Sequence, residues 1–201
     1  MDFTTLKKNL ENNEFKVSCF ETAKEATEYL KGEIKNTVVG IGGSATVNEL
    51  ELYENLIDNN TIFWHWRIPE GKTAKDMLTA AREADVYITS ANGIAETGEI
   101  INIDNNSNRV SEMMYGHKKV YIIAGKNKIE EDYEKALHRA RNIAGPKNAK
   151  RLSLQTPCAK NADKCYNCNS PARICRSLCV LWKKPAACEY EVILVNENLG
   201  F

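Results

Sequence analysis

Six of the chain's seven cysteines crowd into residues 158–188, and their spacing is the first pattern in the sequence that can do chemistry. Cys165 and Cys168 stand two residues apart, close enough to form a chelating turn. Cys158 and Cys175 flank that pair, each separated from it by six residues. Four thiolates that can fold back on one another suit a tetrahedral zinc ion and equally an iron–sulfur cluster. The spacing does not choose between them, and free or packed thiols are the plain alternative. Cys179 lies in a stretch that reads as helical and suits a small core residue; Cys188 fits either role. A reducing compartment disfavours disulfides, so metal or redox chemistry is the expectation.

A second pattern is the run VVGIGGSATVNE, residues 38–49. Gly42 and Gly43 let the backbone approach a ligand, and the free amides of a helix start attract an anion. Ser44 and Thr46 add hydroxyls. The run lacks the third glycine of a dinucleotide fingerprint and the Gly-Lys-Ser/Thr close of a phosphate loop, so no nucleotide cofactor is evident. A plain strand-to-helix turn is the alternative.

The richest polar stretch is residues 89–109. It follows a buried strand, which should bring Asn92 and Gly93 to the same sheet edge as the glycine run. Glu96, Thr97 and Gly98 read as a turn, and residues 104–108 as another, closing on Asn108 and Arg109. A carboxylate, amides and a guanidinium together can hold a small polar or phosphorylated anion. Glu96 is the candidate general base or carboxylate nucleophile. The competing reading is a hairpin whose Asn and Asp only shape turns, which suits Asn105 and Asn106 best. In Trp64-His65-Trp66-Arg67 one tryptophan is expected in the core and the rest along a strand edge; stacking on a ligand and an Arg67–phosphate pair are the alternative. His117 and His138 have no partner at metal spacing.

These residues need a scaffold, and hydrophobic periodicity supplies one. Residues 2–32 read as helix interrupted by a short strand at 15–20. Strands are expected at 37–41, 61–64, 85–89, 99–103, 119–125 and 189–195. Helices are expected after Ser44, over 72–83, over 110–115 and over 129–144. Strands alternating with helices imply an α/β fold: a mostly parallel sheet with helices on both faces. Residues 156–176 carry few large apolar side chains, and 156–188 reads as a Cys-rich metal-binding insertion before the last strand of a single domain spanning 1–201.

Balanced charge, 27 basic against 27 acidic residues, offers no basic patch for nucleic acid. No apolar run is long enough to span a bilayer. The polar N-terminal segment lacks the order of a signal peptide, so a cytoplasmic location is expected.

The stretches GIGGSATVNELELYENL, ADVYITSANGIAETGEIINIDNNSNRVSEMMYGHKKVYIIAGKNKI and AGPKNAKRL, in that order from Gly40 to Leu152, resemble the LUD (lactate-utilisation) domain family. TPCAKNADKCYNCNSPARIC is similar to a Cys-rich tail in one branch of it. Gly116-His117 stands where the family pattern suggests Gly-Pro. The resemblance implies a fold like ribose-5-phosphate isomerase, glucosamine-6-phosphate deaminase and the CoA transferases. In that fold glycine-rich strand ends bind phosphate or acyl-CoA groups, and a glutamate is the CoA transferase nucleophile. It also implies an accessory or redox subunit that binds a small organic anion and works with iron–sulfur partner proteins in oxidising L-lactate to pyruvate. The alternatives are a stand-alone enzyme acting on a phosphosugar or acyl-CoA through Glu96, and a ligand sensor with a structural zinc.

Overall fold

The computed structural model describes all residues, 1–201. Six strands form one wholly parallel sheet: β1 (Lys16–Phe20), β2 (Val38–Ile41), β3 (Thr61–Trp64), β4 (Val86–Ser90), β7 (Lys119–Gly125) and β10 (Glu189–Val195), in the order β1-β10-β7-β4-β2-β3. A smaller sheet joins β8 (Ile129–Glu130), β5 (Gly93–Ala95), β6 (Ile100–Asp104) and β9 (Ser177–Leu181) in that order, with β5/β6 and β6/β9 antiparallel.

Alternation along the central strands builds a separate core on each face. Val120, Ile122, Val192 and Leu194 face one way, onto Leu6 and Leu10 of α1 (Thr4–Asn12), Val110 and Met113 of α6 (Asn108–Met114), and the smaller sheet. Tyr121, Ile123, Ile193 and Val195 face the other way, onto Ala26 and Leu30 of α2 (Ala23–Glu33), Val47 of α3 (Ala45–Glu49), and Leu52 and Leu56 of α4 (Leu52–Leu56). The smaller sheet is itself covered by Ala136 of α7 (Tyr133–Arg139) and by Ala140. Helix α5 (Ala74–Ala81) starts on a capping box between Thr73 and Asp76 and packs so closely on β2 that a Cβ at Gly40 would stand 2.7 Å from the Ala81 carbonyl.

Three elements differ from their sequence reading. The helix expected over 129–144 begins with strand β8, because Ile129 and Glu130 pair in parallel with Ile94 and Ala95. Its helical part runs on, through a π turn at Ala140–Ala144, into α8 (Gly145–Arg151), passing straight through Gly145-Pro146. The wider turn accommodates a proline with no N–H to give. The helical reading around Cys179 is replaced by β9: Cys179 and Leu181 face the core while Leu178 is exposed, a period of two, and β6 offers an open edge to pair with. The helix after Ser44 is split in two at Glu51, which has φ +50°. The Cys-rich segment starts with α9 (Pro157–Asn161), capped by Thr156, and continues to residue 176 as irregular backbone with one turn at Pro171 and Ala172.

Candidate functional site

The parallel strands all end at one edge, where open α/β sheets bind ligands. The ends of β2, β3, β4 and β6, the turn after β7 and the face of α8 enclose a cavity of about 270 Å³. Gly43, Ser44 and Thr46 enter it from the end of β2, His65 and Trp66 from β3, Ser90 and Asn92 from β4, and Asp104, Asn108 and Arg109 from β6 and α6. Lys128 comes from the turn after β7, and Asn148 and Arg151 from α8.

Lys128 is the residue that sequence reasoning missed. Only 4% of it is exposed. Its Nζ donates to Thr46 Oγ1 at 2.6 Å and Ser90 Oγ at 2.8 Å, and no carboxylate lies within ion-pair distance. Burial, reinforced by the positive charges of Arg139 and Arg109, depresses its pKa from 10.5 to about 7, with Glu49 opposing only in part. The ammonium form is thus the disfavoured one, in a cavity whose other charged side chains are mostly cationic.

Arg109, expected as an anion ligand, is already saturated. Nη1 donates to the Ser90 carbonyl at 3.2 Å and to Asn102 Oδ1; Nη2 donates to the Ile103 carbonyl at 2.8 Å and Asn92 Oδ1 at 3.4 Å; Nε lies 3.7 Å from Asp104 Oδ2. It ties β4 to β6, and by fixing Ser90 it also fixes a hydroxyl that holds Lys128. Two buried polar atoms at the cavity have no hydrogen-bond partner: His65 Nδ1, and Asp104 Oδ2, whose one neighbour is the Arg109 ion-pair contact. Burial holds the His65 pKa below its usual value, against the pull of Asp104. Gly43 carries His65 directly: a Cβ there would meet its Nε2 at 3.1 Å. At the mouth Arg151 stacks on Trp66 with its guanidinium carbon 5.0 Å from the ring centroid.

The structure therefore brings Gly43, Ser44, Thr46, Asn92, Asn108 and Arg109 together, and leaves the others apart. Gly42 lies behind the wall, where a Cβ would stand 2.8 Å from the Tyr87 hydroxyl. Gly93 lies under α7, 2.7 Å from Ala136 O by the same measure. Glu96, Thr97 and Gly98 sit at the far tip of the β5–β6 hairpin: Asn9 of α1 donates to the Glu96 carbonyl at 2.7 Å, and Gly98 abuts Asn13. Trp64 is the core tryptophan, fully buried, and Arg67 pairs with Glu54 at 2.7 Å. His138 is exposed, while His117 is buried, stacked on Tyr87 and bonded to the Ala84 carbonyl.

Cys158, Cys165, Cys168 and Cys175 all line a second cavity of about 200 Å³. Asn167 N–H donates to Cys165 Sγ at 3.4 Å and Arg173 Nη2 to Cys175 Sγ at 3.4 Å. Arg173 also holds the Cys168 and Cys175 carbonyls, and Cys165 N–H is anchored on Asn142. The donor set fits a soft thiophilic metal. The sulfurs line one cavity without converging: no group of three His, Cys, Asp or Glu side chains stands at ligating geometry. Cys179 and Cys188 are buried in the core, where burial pushes both thiols up in pKa. The two cavities share Ile103, Gly145, Ile174 and Cys175.

Fold and site together define an α/β protein with a cation-lined cavity at the strand ends and a thiol-lined cavity beside it. The LUD domain matches residues 4–195, and the chain belongs to that family. The crystal structure of a DUF162 family protein from Deinococcus radiodurans is similar over 97% of this chain and 99% of that one, with a TM-score of 0.56 at 11% identity, a likeness of fold. No curated protein matches the sequence.

Proposed function

We propose that this LUD-family chain is an accessory or redox subunit in the oxidation of L-lactate to pyruvate, and that the strand-end cavity holds the small organic anion. One observation carries the reading: Lys128 is buried at the cavity with two hydroxyls and no counter-ion. A carboxylate entering beside it supplies the missing charge and draws a proton onto the amine. Asn108 and Asn148 offer amides, and Asp104 Oδ2, which has no hydrogen-bond partner, can accept the hydrogen of a 2-hydroxyl group.

Oxidation of lactate releases two electrons and two protons, so an acceptor is required. An iron–sulfur cluster held by Cys158, Cys165, Cys168 and Cys175 would accept electrons one at a time and pass them to iron–sulfur partner subunits; zinc there would be a structural staple. The shared wall at Cys175 supports the redox version. Glu96 lies outside this cavity, at the β5–β6 turn against Asn9, so the cavity lends no support to the stand-alone enzyme reading through it. The stacked Trp66–Arg151 pair at the mouth favours one second reading, a ligand larger than lactate such as a sugar phosphate.

Calorimetric titration tests the assignment. L-Lactate should bind the wild-type chain and bind Lys128→Met at least about ten-fold more weakly, the loss of one charge-assisted hydrogen bond. Binding of a sugar phosphate but not lactate would move the assignment to the second reading. Elemental analysis and a visible spectrum of protein purified without oxygen separate iron–sulfur from zinc.

A further inference from the structure

The surroundings of Lys128 suit more than charge pairing. A neutral amine has two hydrogens and one lone pair. Both hydrogens are accounted for here, one donated to Thr46 Oγ1 and one to Ser90 Oγ. Thr46 and Ser90 are themselves held: the Thr46 hydroxyl donates to the Leu199 carbonyl, and the Ser90 carbonyl accepts from Arg109. With both hydrogens so placed the lone pair is left unshared, on a residue that lines the cavity and feels the positive charges of Arg139 and Arg109. A lysine desolvated beside other cations is the arrangement that makes an amine nucleophilic near neutral pH.

We propose that Lys128 is a covalent capture site for small 2-oxo acids, forming an imine through its Nζ. The inference rests on the reading that the cavity admits a small organic anion. The nitrogen lone pair adds to the keto carbon, and as the nitrogen loses one proton and the carbonyl oxygen gains one, a neutral carbinolamine results. A second proton on that hydroxyl lets it leave as water as the C=N bond forms, and the nitrogen gives up its remaining proton. One carbonyl and one amine become one imine and one water, with no oxidant or reductant. His65 Nδ1 and Asp104 Oδ2, neither with a hydrogen-bond partner in the same cavity, are the groups available to deliver and accept those protons. The product of the proposed oxidation would thereby be retained at the site, whereas lactate, with no carbonyl, binds only non-covalently.

The test is reductive trapping. Full-length protein is incubated with pyruvate and sodium cyanoborohydride at neutral pH, digested, and mapped by mass spectrometry. The expected result is one stable adduct on the peptide bearing Lys128, formed at least about ten-fold faster than on any exposed lysine. Lys128→Arg should abolish that adduct while retaining the cation, and His65→Gln should slow it. Thermal melts confirm that each variant is folded. Labelling spread over surface lysines, or no adduct at all, would overturn the inference. Calorimetry with L-lactate separates the two claims: lactate binding without a pyruvate adduct removes only the imine, whereas loss of both removes the anion site as well.

Discussion

At the scale of single residues, Lys128 dominates the energetics of the site. Its folded pKa, about 7, lies below the ordinary 10.5. Between those values the unfolded chain binds more protons than the folded one, so stability rises with pH across that window. Below about pH 7 the folded protein carries the full penalty, on the order of several kcal/mol. Lys128→Met removes it. Denaturant unfolding from pH 6 to pH 9 should show the variant more stable than wild type at the acid end, with the difference shrinking as pH rises. Glu191 behaves in the opposite sense. Burial alone would raise its carboxyl, but hydrogen bonds from Tyr29, Lys16, Ser18 and Lys119 overcome that and hold it at about 2. Its contribution is complete above about 4.5 and is lost as pH falls through about 2. Glu191→Gln should cost roughly 3 kcal/mol at neutral pH, because it strands Lys16 and Lys119, each now within about 3.0 Å of the carboxylate.

At the scale of elements, close approach explains which glycines matter. Gly93→Ala would drive a Cβ into the Ala136 carbonyl of α7, and neither backbone can yield cheaply. A loss of about 1–3 kcal/mol is expected by thermal or chemical unfolding, with lactate affinity unchanged in the folded fraction. Gly43→Ala should do the reverse. Its Cβ meets no backbone, only the His65 ring at 3.1 Å and Trp66 Nε1 at 3.5 Å, so the strain falls on cavity side chains: stability changes little while ligand affinity falls. The parallel sheet was legible in the sequence because the apolar run 37–41 leads into Gly42-Gly43, 119–125 ends in Gly125, and such runs alternate with helical patterns. The partners of the glycine run were legible too, since consecutive strand ends of a parallel sheet share an edge. Lys128 was not legible. Residues 126–128 look like ordinary solvated lysines, and only their position just past the end of β7 hinted at the same edge. Glu96 misled for the opposite reason: it is near Asn92 in sequence, but the β5–β6 hairpin carries it a strand's length away, against α1. The register of β9 was hidden because the run 174–182 satisfies helix and strand periods alike, and only the free edge of β6 decides.

At the scale of the molecule, the chain is two sheets and a thiol-rich appendage whose cavities meet at one wall. The hydrophobic cores on the two faces of the main sheet include none of Cys158, Cys165, Cys168 or Cys175. If these thiols hold the proposed metal, the double substitution Cys165→Ser, Cys168→Ser should abolish metal loading and expose residues 156–176 to limited proteolysis. Far-UV circular dichroism and the main unfolding transition should stay nearly as in wild type. Collapse of the whole fold instead would mean that the segment is integral to the core.

The central claim is that a small anion binds against Lys128. Calorimetric titration of L-lactate at about pH 8, repeated in buffers of different ionisation enthalpy, tests it most directly. At that pH the amine is largely neutral, so an incoming carboxylate should pull a proton from the buffer. The account predicts net uptake approaching one proton per lactate bound, absent in Lys128→Met. Lactate binding with no proton uptake, and with equal affinity in the variant, would contradict it.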